Sequence, residues 1–158
     1  MNIVINNVYD IFSSIVLLYN YDFIFRIFYG QYKYFICFYF VILFEQNMKK
    51  TLTHSSLEIL KRPQGACDCD LFNSGGYVSG HCGFPSGHVI TTSFYFYLLY
   101  FENRYKYNHF KKYNKLFLIL IHIPIFLVGY GRIMKKCHNL FQVCGGYIFG
   151  MFFAFLFY

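Results

Sequence analysis

Charge is what this chain has least of. Of its 158 residues, 13% are charged and 57% hydrophobic, whereas a soluble domain usually carries about 25% charge. A chain this short could hide only part of such an apolar surface in water, which argues against an ordinary soluble domain. Acids are the scarcer sign, with seven Asp and Glu against fourteen Lys and Arg. Tryptophan is absent and proline occurs three times, so the aromatic 25% of the chain is Phe and Tyr alone. Purely aliphatic stretches of membrane-spanning length are missing as well. Tyr interrupts the apolar blocks, which are moderate candidates for membrane helices, with 116–130 the clearest helix. Residues 1–20 lack a basic start and no small-residue cleavage site follows, so the first apolar segment is expected to stay as a helix or anchor. Internal repeats and low-complexity linkers are missing too, and residues 1–158 read as a single domain. Cys67, Asp68, Cys69, Asp70, His81 and Cys82 lie close together, but the usual zinc-ligand intervals are not there. No metal or cofactor is expected.

What is present is an all-α pattern. The formal net charge is +7. A basic, aromatic chain suits nucleic acid, yet these charges sit between apolar blocks rather than along one polar face. They fit membrane topology and anionic headgroups instead, so a bilayer is the expected partner and nucleic acid is not. Residues 3–19 are apolar around Asp10, an acid that needs a partner or cavity inside a membrane. Residues 23–44 carry Arg26 and Lys33, which could snorkel to the interface. Residues 45–61 are polar, with a short amphipathic helix suggested from Ser56 to Leu60, and the glycine-rich stretch 64–84 reads as a loop. Apolar blocks follow at 88–101, 116–130 and 140–158. The expectation is a multi-pass helical bundle with four or five membrane helices. Blocks of 14–15 residues reach only about 22 Å, short for a bilayer.

Three polar clusters stand at the edges of these blocks. Arg62-Pro63 comes first, Pro85-Ser86-Gly87-His88 second, and Arg132 with His138 third. If 88–101 crosses the membrane and 116–130 returns, all three clusters share one face. Phosphoryl transfer needs positioned cations and amides against developing negative charge. Arg62 and Arg132 can grip phosphoryl oxygens in pairs. Ser86 and Gly87 lie where a helix start points free N–H groups at an anion, and Pro85 suits such a start. One neutral histidine can attack phosphorus while a second protonates the leaving oxygen. His54, His81, His109 and His122 lack comparable settings.

These residues resemble the type 2 phosphatidic acid phosphatase family, whose core is related to acid phosphatases and vanadium haloperoxidases. The family pattern is lysine, six residues, Arg-Pro; then Pro-Ser-Gly-His; then Ser-Arg, five residues, His, three residues, Asp. Arg62-Pro63 matches the end of the first part, Pro85 to His88 the whole second part, and Arg132 and His138 the third at the right interval. The resemblance covers 55–142, within a motif-bearing core of about 55–158. It implies an all-helical membrane bundle, no metal, His138 as nucleophile and His88 as general acid. It also implies phosphate contacts from Arg62, Ser86, Gly87 and Arg132. Three positions depart from the pattern. The family lysine falls on Ser55, with Lys61 or Lys50 as off-register substitutes; Gly131 replaces the serine; and Gln142 replaces the aspartate that orients the nucleophile. Glutamine there is similar to the dolichyl-diphosphate phosphatase and glucose-6-phosphatase branches.

The expected function is hydrolysis of a lipid phosphate or isoprenoid diphosphate through a phosphohistidine. A phosphatase of the same fold acting on a soluble phosphoester, and an inactive membrane protein that binds anionic headgroups, remain as alternatives. Residues 102–115 hold five Lys and Arg against Glu102 alone, which favours a cytoplasmic loop there. The site and the Cys67, Cys69 and Cys82 loop then face the lumen or exterior, with the endoplasmic reticulum as the candidate membrane. In that setting Cys82 could pair with Cys67 or Cys69, while Cys37, Cys137 and Cys144 read as apolar filler.

Overall fold

A computed structural model describes residues 8–70, 74–106 and 114–158. Five α-helices account for most of it: α1 Val8–Phe28, α2 Tyr32–Leu52, α3 Gly87–Lys106, α4 Asn114–Met134 and α5 Leu140–Phe157. A single 3-10 turn, Glu58–Leu60, is all that forms where an amphipathic helix was expected. Among the described residues there are no strands. Two isolated bridges, Lys61 with Cys82 and Cys67 with Tyr77, tie the glycine-rich loop to itself.

The helices are longer than the apolar blocks. α3 has 20 residues and α4 has 21, or about 30 Å each at 1.5 Å per residue. The expected shortfall disappears because both helices run on through polar residues. Glu102 therefore belongs to α3 rather than to the basic connector, whose residues 107–113 lie outside the described residues. Arg26 has partners within the bundle. It pairs with Asp22 at 2.7 Å and with Glu102 at 3.2 Å, and it lies over the ring of Tyr34, joining α1, α2 and α3 at one end of the bundle.

α3 is the central helix, in contact with all four others and most extensively with α5. Val89, Ile90, Phe94 and Leu98 are buried in a core shared with Tyr19 and Phe23 of α1, Val41 of α2, Val128 of α4 and Ala154 of α5. The close approach to α5 requires glycine. A Cβ on Gly146 would stand 2.8 Å from the Ser86 carbonyl oxygen, and one on Gly150 would stand 2.8 Å from the Phe94 nitrogen. Small residues at such an interface let two backbones meet.

Three helices, α1, Lys115–Met134 of α4, and α5, are long and apolar enough to cross a membrane. Their outward residues include Ile24, Phe25, Ile119, Phe126, Phe152 and Phe155, all exposed. α3 is less apolar because protein surrounds it. Its Thr91 and Thr92 hydroxyls meet the Tyr19 hydroxyl at 2.6 and 3.2 Å. His122 of α4 also finds partners. Its Nε2 lies 3.1 Å from the Tyr97 hydroxyl and 3.0 Å from that of Tyr147, while Nδ1 lies 2.6 Å from the Leu118 carbonyl oxygen. The chain is thus an all-α, multi-pass membrane bundle.

Candidate active site

The antiparallel path sets the site. α2 and α4 end, and α3 and α5 begin, at the same end of the bundle. There a cavity of about 540 Å³ is lined by Arg62, Gly87, His88, Arg132 and His138. All three sequence clusters meet on one side.

Each residue has a local reason for its place. Arg62 lies in extended chain: its N–H donates to the His81 carbonyl oxygen at 2.8 Å, and its own carbonyl accepts from Gly80 at 3.3 Å. α3 begins at Gly87, two residues after Pro85, which follows a cis bond from Phe84. Ser86 stands just before the helix, and its carbonyl accepts from Ile90 at 2.9 Å while its N–H donates to the Gln142 carbonyl oxygen at 3.0 Å. Arg132 lies in the last turn of α4, where its carbonyl accepts from the N–H groups of Cys137 and His138. Lys136 turns the chain with φ 56°, a left-handed helix ending usually taken by glycine. His138 then sits two residues before α5.

Gln142 explains how His138 is held. Its Oε1 accepts from His138 Nδ1 at 2.9 Å. Its Nε2 donates to the carbonyl oxygens of Lys61 at 2.8 Å and Ile59 at 3.3 Å. Carbonyls only accept, so the amide has one orientation, and Nδ1 of His138 must carry the proton. Nε2 keeps its lone pair. Asn139 caps α5 by accepting from the Gln142 N–H at 3.0 Å, in a capping box with the same glutamine. Gly83 packs between the two sides: a Cβ there would meet Arg62 Cγ at 2.8 Å and collide with the Gln142 amide.

The electrostatics are one-sided. Burial, followed by the positive charges of Arg132, Lys49 and Arg62, pushes the His138 imidazole well below its ordinary pKa, against a smaller upward pull from Gln142. His138 is neutral. Burial also lowers the pKa of Arg62, opposed by Asp70 and Glu45. Nε and Nη1 of Arg62, Nε and Nη1 of Arg132, Ser86 Oγ and His88 Nε2 are all shielded from water with no hydrogen-bond partner. An unmet buried donor costs about 1–3 kcal/mol. The unmet atoms of Arg62, His88 and Arg132 belong to residues lining the one cavity, a chemistry suited to an oxygen-rich anion. Arg132 is fixed by its remaining nitrogen, Nη2, which donates to the Cys69 carbonyl oxygen.

Two expectations require correction. Lys61 points away from the cavity, with Nζ 2.6 Å from Glu58 on the surface; only its carbonyl serves the site, through Gln142. The disulfide joins Cys69 to Cys137, 68 residues apart, with Cα atoms 5.5 Å apart. Cys67 and Cys82 are free thiols. Cys137 carries no such signal in the sequence, because its neighbours are basic and its partner arrives only through the fold. Lys49, Glu45 and Asp70 also line the cavity. The four-residue interval from Glu45 to Lys49 was the available signal, since it places both on one helix face. Among the described residues no group of three or more His, Cys, Asp or Glu could hold a metal ion.

No curated protein and no solved structure matches the chain significantly. The PAP2 superfamily matches residues 12–158, which include every helix apart from the first turn of α1 and every residue lining the cavity. By fold, by motif order and by this match, the chain belongs to the PAP2 superfamily, a family of phosphatases.

Proposed function

We propose that the chain is a membrane phosphatase that hydrolyses a lipid phosphate or isoprenoid diphosphate through a phosphohistidine on His138. The observation that carries this reading is the set of partnerless buried donors on Arg62, Arg132, Ser86 and His88 around a neutral His138. In the first half-reaction His138 Nε2 donates its lone pair to phosphorus and the bond to the leaving oxygen breaks. His88, protonated once the phosphoryl anion offsets the surrounding positive charges, gives that oxygen its proton. The imidazolium keeps its Nδ1 proton on Gln142 Oε1. In the second half-reaction water attacks phosphorus, His88 takes its proton, and the N–P bond breaks to restore neutral His138. The arginines and the Gly87 N–H at the helix start stabilise the charge on the phosphoryl oxygens throughout.

The lipid assignment rests on the cavity wall. It passes from the arginines and histidines to Val16 of α1 and to Phe38 and Ile42 of α2. A polar head fits the first part and a hydrocarbon tail the second. The Cys69–Cys137 disulfide stands at the same end, and disulfides persist in oxidising compartments. This supports a lumenal or outer site.

The test is phosphate release by purified full-length protein in detergent. Phosphatidate, a polyprenyl diphosphate and p-nitrophenyl phosphate are compared. We expect at least one lipid to exceed the soluble ester about tenfold in kcat/KM, the effect of binding energy from a remote apolar tail. Activity should persist in EDTA, since arginines supply the positive field, and vanadate should inhibit. A soluble ester turned over as well as both lipids would remove the lipid assignment.

A further inference from the structure

The cavity holds a cation beyond the two arginines. Lys49, from the last turn of α2, lines it beside Arg62, Arg132 and both histidines. Its charge is strong enough there to depress the pKa of His138. Lys49 is paired with Glu45, one helical turn earlier, and both side chains are largely buried. Glu45 has an unusual position for a carboxylate. It lies flush against the start of α3, so that a Cβ on Gly87 would come within 2.8 Å of its Oε1. An acid has therefore settled at the edge of an anion receptor, opposite a helix start and a lysine, both of which would favour a phosphoryl oxygen.

We propose that Glu45–Lys49 is an exchangeable ion pair. Lys49 is a third phosphoryl ligand, and Glu45 is its resting partner, displaced when phosphate arrives. The inference deepens the phosphatase reading and rests on it. In the empty cavity Glu45 neutralises Lys49 and keeps it pointed inward. When a phosphoryl group binds, its oxygens take over the ammonium, and the carboxylate, repelled by the incoming charge, swings away from Gly87. Lys61 does not take this place, because it does not line the cavity and its ammonium meets Glu58 on the surface.

Opposite signs make the proposal testable. The full-length protein in detergent is titrated with inorganic phosphate, read by the shift in thermal midpoint, and KM is measured for the best substrate. Glu45→Gln should tighten phosphate by removing a competing anion. Lys49→Gln should weaken it about tenfold, the effect expected of removing one charge-assisted hydrogen bond. The decisive comparison is between Glu45→Gln and the double variant E45Q/K49Q, in which no unpaired carboxylate remains. The double variant should bind phosphate about tenfold more weakly than E45Q, because the ammonium no longer donates to a phosphoryl oxygen, and Lys49→Arg should retain most of the affinity. Equal phosphate affinity in E45Q and E45Q/K49Q would overturn the proposal, as would weakening by both single variants alike, the mark of a merely structural pair. If K49Q does not fold, the sign of E45Q and the retention in K49R decide. Turnover by the wild type tests the phosphatase reading separately. An active enzyme whose phosphate affinity ignores Lys49 refutes this inference alone. An inactive one that still shows the opposite signs keeps the phosphate site and loses the reaction.

Discussion

At the scale of single residues, the site is a matter of which nitrogen faces which oxygen. Gln142 receives from His138 with one end of its amide and donates to two backbone carbonyls with the other. An acid of the same length could keep the first contact but would oppose two carbonyl oxygens with a third. Gln142→Glu should therefore keep much of the turnover and lower the thermal midpoint. Gln142→Ala should cost roughly 10–100-fold in kcat, typical for loss of an orienting partner, with KM changed far less. Equal kcat in Q142A and wild type, with chemistry limiting, would mean the ring is oriented by something else. For the histidines, His138→Ala should abolish most turnover without preventing folding. His88→Ala should be severe on alkyl esters but milder on p-nitrophenyl phosphate, whose leaving group needs little protonation. A comparable rate from H138A on either substrate would exclude His138 as nucleophile. Much of this was legible in the sequence. The types and intervals of Arg62, His88, Arg132 and His138 point to the proposed phosphoryl site because the chemistry constrains them, and the fold brings the four to one cavity. Lys49 was not legible in the same way, since its place depends on where α2 ends, and apolar patterning leaves that boundary blurred.

At the scale of elements, α3 and α5 act as one unit. Both begin with a histidine cluster, and their seam is closed by Gly146 and Gly150. Glycines at 146 and 150, four apart on one helix face, permit close contact, but nothing local says against which helix. Hydropathy indicated α4 and α5 clearly and understated α3, whose buried face carries Thr91, Thr92 and Ser93. A helix enclosed by protein has no need to look lipid-like. Nor could local pattern show the ends of α3 and α4, because polar residues there are held by tertiary partners, as Glu102 is by Arg26. Gly150→Ala tests the seam. Its methyl would meet Ser93 Cβ at 2.5 Å and the Phe94 nitrogen at 2.8 Å, so the helices must part. Overpacking of this kind typically costs about 1–3 kcal/mol. A lower thermal midpoint together with a lower kcat is expected, although Gly150 lies about 18 Å along α5 from His138 at 1.5 Å per residue. An unchanged midpoint would show that the seam is looser than its geometry.

At the scale of the whole molecule, the two ends of the bundle are fastened differently. One end is tied by ions, with Arg26, Asp22 and Glu102 joining α1 to α3. The end with the cavity has an ion pair too, Asp10 with Lys135 at 2.7 Å, which gives the acid in the first apolar segment its partner. It also has a covalent tie, Cys69 to Cys137. That bond changes what it means to break the chain. Between Cys69 and Cys137 the polypeptide is a closed ring, with His88 inside it and His138 one residue beyond its clasp. A single cut within the ring therefore yields two peptides but still one molecule. With a protease site inserted after Asn108, the cleaved protein should run as one band on a gel without reductant and as two with it. Most of its phosphate release should survive the cut, because the piece bearing His138 remains moored to the piece bearing His88 at the very edge of the cavity.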